Sequence, residues 1–175
     1  MSYVDGRMPI RPPRRHRPAA EERTRQMSAG PPRRLAIDPD DYHAEHVGRT
    51  ADGRQFFLTT PFEPGGQEGE GGQEFVALFL FDADGRFLEA RIDAFGPRAG
   101  MDRAARRAVY DARLAELGEV TFTRIEVEPF ATERFGTTFG LVPRSPEDDE
   151  AWWVTLEPGD YMAFTEPWDS GEYDT

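Results

Sequence analysis

The octapeptide EFVALFLF, residues 74–81, constrains this chain more than any other stretch. Successive side chains of a strand point to opposite faces. Here every residue after Glu74 is apolar, so a strand at this position must be covered on both sides. The rest of the chain has to supply two covers.

The surrounding sequence supplies strands and one helix. The segments YHAEHVG and RQFFLTTPF flank RTADG, whose Asp52-Gly53 pair suits a tight turn. This predicts a hairpin with Phe56, Leu58, Thr60 and Phe62 on one face. EPGGQEGEGGQ reads as a flexible loop leading into the octapeptide. DADG turns the chain into RFLEARID, where Leu88, Ala90 and Ile92 alternate with Glu89, Arg91 and Asp93, a strand with one wet face. MDRAARRAVYDARLAELG has a helical period. Ala104, Ala105, Ala108, Val109, Ala112 and Leu117 form its apolar stripe, arginines take much of the remainder, and Gly118 suits a C-terminal cap. EVTFTRIEVEPF, FGTTFGLVPR, AWWVTLEPG and DYMAF follow as further apolar segments, with the acidic loop SPEDDE joining two of them at hairpin-like separation. The expected fold class is α+β: an antiparallel sheet of about six or seven strands with one main helix packed on it.

Charge divides the chain. Residues 1–34 carry nine arginines against three acids, whereas residues 35–175 carry twelve against thirty. The first segment is rich in Pro and Arg without a hydrophobic period and is read as a disordered leader. It is either an arm for an acidic partner or a dispensable extension ahead of a start at Met27; the second reading is adopted. Residues 35–175 are read as one α+β domain. A body this acidic repels nucleic acid backbones. No apolar run is long enough for a membrane-spanning helix, and a cytoplasmic location is expected.

Several chemistries lack their residues. The chain has no cysteine and no lysine, which removes thiolate metal sites, cysteine nucleophiles, P-loop lysines and Schiff-base lysines. None of its four serines lies in a G-x-S-x-G elbow. GGQEGEGGQ lacks dinucleotide-loop spacing and places Glu68 and Glu70 where phosphate would sit. DADGR opens like a calcium loop but has Phe87 where the sixth-position glycine belongs. His43 and His46 invite a metal reading, yet on a strand their odd spacing puts them on opposite faces, as exposed edge residues. No catalytic residue, cofactor or metal ligand is assigned.

The ending PWDSGEYDT is different. Trp152 and Trp153 fall in a strand, one on each face, and Tyr161, Phe164, Trp168 and Tyr173 follow closely. In one reading Trp152, Phe164 and Trp168 pack into the sheet and Pro167 sets the turn before the tail. In the other, Trp153, Trp168 and Tyr173, rimmed by Asp169, Glu172 and Asp174, form a surface for a protein partner. Either way the tail folds back while its acids stay wet.

The order GRTADGRQFF, FDADGRFLEARI, RLAELG, FGLVPR and PWDSGEYDT resembles bacterial formate hydrogenlyase regulatory proteins from about residue 40 onward. Arg49–Phe57 and Trp168–Thr175 carry most of the likeness. The resemblance implies a small, non-enzymatic cytoplasmic protein. The expectation is therefore a regulatory or accessory module acting through protein–protein contact. A metal-dependent hydrolase using the acidic residues and a DNA-binding regulator using the leader are the alternatives.

Overall fold

The computed structural model describes residues 30–65, 71–145 and 151–175. Most of the leader, the tip of the glycine-rich loop and most of SPEDDE lie outside these residues. Of the leader only residues 30–34 are described, and there Pro32 is buried.

The order of elements is β1 (Leu35–Ile37), β2 (His46–Thr50), β3 (Gln55–Thr59), β4 (Phe62–Glu63), β5 (Gln73–Phe81), β6 (Phe87–Ala94), a 3-10 turn at Arg98–Gly100, α1 (Arg103–Ala115), β7 (Val120–Phe122), β8 (Ile125–Val127), β9 (Phe130–Arg134), β10 (Thr137–Arg144), β11 (Trp153–Glu157) and β12 (Ala163–Phe164). All pairings are antiparallel. The fold class is α+β, with one main helix.

The strands form three sheets rather than one. In the largest, β7, β2, β3, β5 and β6 lie side by side. Beyond the end of β3, β4 pairs β5 in the same register, Thr59 opposite Ala77 and Phe62 opposite Glu74. The expected hairpin is β2–β3, although Thr60 and Pro61 interrupt its second strand before Phe62. β9, β10, β11 and β12 form a second sheet, and β1 pairs with β8 as a third. The additional sheets exist because the octapeptide has a second face that a single helix cannot cover.

That second face is explicit. On one side Phe56, Leu58, Val76, Leu78 and Leu80 form a cluster with Tyr110 and Leu117, with Val109 and Leu114 packed on it. On the other, Phe57, Phe75, Phe79 and Phe81 join Ile125, Val127, Phe139, Leu141, Val154, Leu156 and Phe164. Odd and even residues of β5 separate cleanly between the two. The ring of Phe75 meets Phe139 edge-on at 4.9 Å and that of Phe79 meets Phe130 at 5.1 Å, the geometry that aromatic quadrupoles favour.

The helix is where the sequence reading needs correction. Asp102 caps it by accepting the Ala105 N–H at 2.9 Å, and Gly118 takes φ +70° after its last turn, a conformation natural to glycine. Its inward face, however, is not the alanine stripe. Ala104, Ala105, Ala108 and Ala112 are exposed, whereas Arg106, Val109, Tyr110, Arg113, Leu114 and Leu117 are wholly or partly buried. An alanine removes little area from water compared with Tyr or Leu. The two arginines turn inward because the sheet offers them carboxylates: Arg106 meets Glu74 at 2.8 Å and Arg113 meets Asp93 at 2.8 Å. Glu74 is only 4% exposed and also receives Arg98, which meets the requirement that a buried charge be paired.

This orientation predicts a contrast on urea unfolding. Ala108→Gln should change stability by about 0.5 kcal/mol or less, as for exposed sites. Tyr110→Ala should cost about 3 kcal/mol, the scale of a deleted buried aromatic. Equal, large losses for both would mean that the helix packs on its alanines.

Candidate functional site

The C-terminal segment is built into the fold. Ser170 N–H donates to the Pro167 carbonyl at 2.9 Å, closing a turn that starts at Pro167. The carbonyls of Trp168 and Gly171 then accept the N–H groups of Ala36 and Asp38 at 2.8 and 3.0 Å, so the tail occupies the edge of β1 that β8 leaves free. Asp174 and Ala163 exchange both backbone hydrogen bonds, fixing the tail to β12 as well. Gly171 makes the approach possible: it has φ +82°, and a Cβ there would lie 2.2 Å from the Asp38 carboxylate.

Side chains reinforce this seam. Tyr173 packs its ring on Phe164 at 5.7 Å, donates its hydroxyl to the Asp40 carboxylate and accepts the His43 N–H. Trp168 is half-buried against the main core and donates its indole N–H to Glu166 at 3.2 Å. Arg124 donates to the Asp169 carbonyl and pairs with Asp38 at 3.4 Å. Burial opposes ionisation of Asp40, but the hydrogen bonds from Tyr173 and from the Tyr42 and Ala44 amides outweigh it and hold the carboxyl below its ordinary value. Burial, and then the hydrogen bond to Asp40, push the Tyr173 hydroxyl up.

The six residues singled out from the sequence do not form one patch. Trp168 and Asp169 line an open groove of about 940 Å³, together with Pro167, Glu166, Glu126 and residues 34–36 at the start of β1. Glu172 and Tyr173 line a second depression of about 410 Å³ farther along the seam, opposite Asp38, Asp40 and Asp41. Asp169, Glu172 and Asp174 are exposed. Trp153 lies elsewhere, opposite Arg144 in the second sheet, and Trp152 precedes that strand. Sequence reading missed Leu35, Asp38, Asp40, Arg124 and Glu126. The run DPDD at 38–41 was the one local signal, because Asp favours turns that accept neighbouring amides.

The histidines also need correction, since neither is an exposed edge residue. His46 opens β2, an interior strand, with its side chain 12% exposed and Nδ1 2.7 Å from the Tyr110 hydroxyl. His43 lies in the bend before β2, its ring 4.7 Å from that of Tyr161. Each meets a tyrosine, His46 the Tyr110 hydroxyl and His43 the ring of Tyr161. Burial lowers the His43 pKa despite the opposing charge of Asp40. Among the described residues, no three His, Cys, Asp or Glu side chains converge as a metal set.

Fold and seam together define an α+β protein with an acidic, aromatic-lined groove beside its C-terminal segment. Compared with known proteins, the chain matches no family model, no curated protein and no solved structure.

The Asp40–Tyr173 contact gives a pH prediction. Because the folded-state pKa of Asp40 is lowered, its contribution is complete above the unfolded value and is lost as pH falls through the folded one. Asp40→Asn should therefore lower the urea midpoint at pH 7, and the gap from wild type should close below about pH 4. A gap that stays constant from pH 7 to pH 3 would remove ionised Asp40 from the account.

Proposed function

We propose that this chain is a non-enzymatic regulatory or accessory module that docks a basic, extended segment of a partner protein in the groove beside Trp168. The observation that carries this reading is the lining of the groove. It sets a half-buried tryptophan and a proline next to three carboxylates, Glu126, Glu166 and Asp169, with Arg34 as the opposing charge. Tryptophan is the residue type that most often anchors a protein interface, and its ring face attracts guanidinium groups. The carboxylates select a cationic partner and steer its approach.

The second depression extends the same charge along the seam through Asp38, Asp40, Asp41 and Glu172. These groups would repel a phosphate backbone, so the described part of the chain favours a protein partner over nucleic acid. The resemblance to formate hydrogenlyase regulatory proteins supports the same reading, a cytoplasmic regulator without catalysis.

A fluorescein-labelled peptide of repeating Arg-Pro-Pro tests the proposal, with its Glu-Pro-Pro counterpart as control. Fluorescence anisotropy should show saturable binding of the basic peptide alone, weakening as salt rises and the exposed charges are screened. Replacing both Glu126 by Gln and Asp169 by Asn should weaken it about tenfold, equivalent to roughly 1.4 kcal/mol, without lowering the melting temperature by more than about 2 °C. Failure of the basic peptide to bind, or equal binding of both peptides, would overturn the proposal.

A further inference from the structure

A different depression lies on the helix side of the molecule, where α1 faces the bend before β2. We infer that it is a binding site for a small phosphate-type oxyanion, either free phosphate or a phosphate monoester. It encloses about 200 Å³, and its cationic lining is Arg103, Arg106 and Arg107. These residues share a face of α1 at the i, i+3 and i+4 positions. Three guanidinium groups around one small cavity are conspicuous in a chain of net charge −12.

The arginines differ in how they are held. Arg106 is fixed by Glu74 at 2.8 Å, and that carboxylate is shared with Arg98 at 2.5 Å, so two cations stand against one anion. Arg107 is held by Asp111 at 2.9 Å and lies over the ring of Tyr110. Arg103 makes no ion pair among the described residues and is exposed. Among the described residues, the cavity therefore has one cation free to close on a ligand and two already placed. Glu45 is the one carboxylate in its lining, and its side chain is 56% exposed.

The remaining lining suits an oxyanion as well. Thr60, Tyr42 and His43 add polar residues to the lining, whereas the hydroxyls of Thr59 and Tyr110 are held by Tyr161 and His46. A guanidinium offers paired N–H donors that match two oxygens of a phosphate, which a carboxylate-lined site cannot do. The volume falls below the roughly 300–1,000 Å³ typical of pockets for drug-sized ligands, so the class is a small phosphate rather than a nucleotide.

The test is isothermal titration of the full chain with inorganic phosphate and, separately, with glycerol 3-phosphate, each against sodium chloride at matched ionic strength. The inference predicts saturable, one-to-one binding of at least one phosphate species and none of chloride. Arg103→Gln, at a position that is exposed and unpaired among the described residues, should keep the circular dichroism spectrum and melting temperature while weakening that binding at least tenfold. Tighter binding of the ester would identify a phosphomonoester as the ligand, and tighter binding of inorganic phosphate the free anion; both support the site. Heats indistinguishable from chloride, or an affinity unchanged in folded Arg103→Gln, would overturn it. These outcomes are separate from peptide binding, because none of the titrated arginines borders the Trp168 groove.

Discussion

The structure depends on one strand that is apolar on both faces. Phe75, Phe79 and Phe81 point one way from β5, while Val76, Leu78 and Leu80 point the other, and all are withdrawn from water. Leaving either face bare would expose several large side chains, each worth about 1.5–3 kcal/mol on burial. A helix covers one face. The other needs a second sheet, the β1–β8 pair and the aromatic rings that fill the space between them. Sheet number, helix position and the path of the C-terminal segment all follow from satisfying both faces.

The C-terminal segment completes that second cover. β1 is three residues long and β8 is three residues long, too short to hold a stable edge alone. The tail supplies hydrogen-bond acceptors to β1 and places Tyr173 and Trp168 over the core. Because its acids face water while its aromatics face inward, the same segment closes the fold and presents an acidic groove. In the proposed reading, the residues that finish the core also line the groove in which a partner segment would dock.

What was legible in the sequence is what local pattern dictates. The two-faced octapeptide, the β2–β3 hairpin around Asp52-Gly53, the limits of the helix and the return of the aromatic tail all follow from periodicity, turn chemistry and anchor residues. The face of the helix was not legible. Its alanines make an apolar stripe on paper, but the sheet rewards the larger Tyr110 and Leu114 and supplies Glu74 and Asp93 as partners for arginine. The separation into three sheets was also hidden, because β1 finds β8 some ninety residues away and nothing in either segment names the other. The groove was half legible. Trp168 and Asp169 stood out, whereas Leu35 and Glu126 join them only through that long-range pairing. The arginine-lined cavity had no sequence signature apart from a helix surface whose inward face was misread.

The central claim is that residues 166–175 are part of the folded core edge. Hydrogen exchange of the Ala36, Asp38 and Asp174 amides measures this directly, since each donates to, or belongs to, the tail pairing. The account predicts that these amides exchange slowly, together with one another and within the range of the β5 amides, as members of one cooperative unit. Exchange at the rate of an unstructured peptide, with β5 still protected, would show that the tail is not part of that edge and that the groove beside Trp168 has no fixed wall.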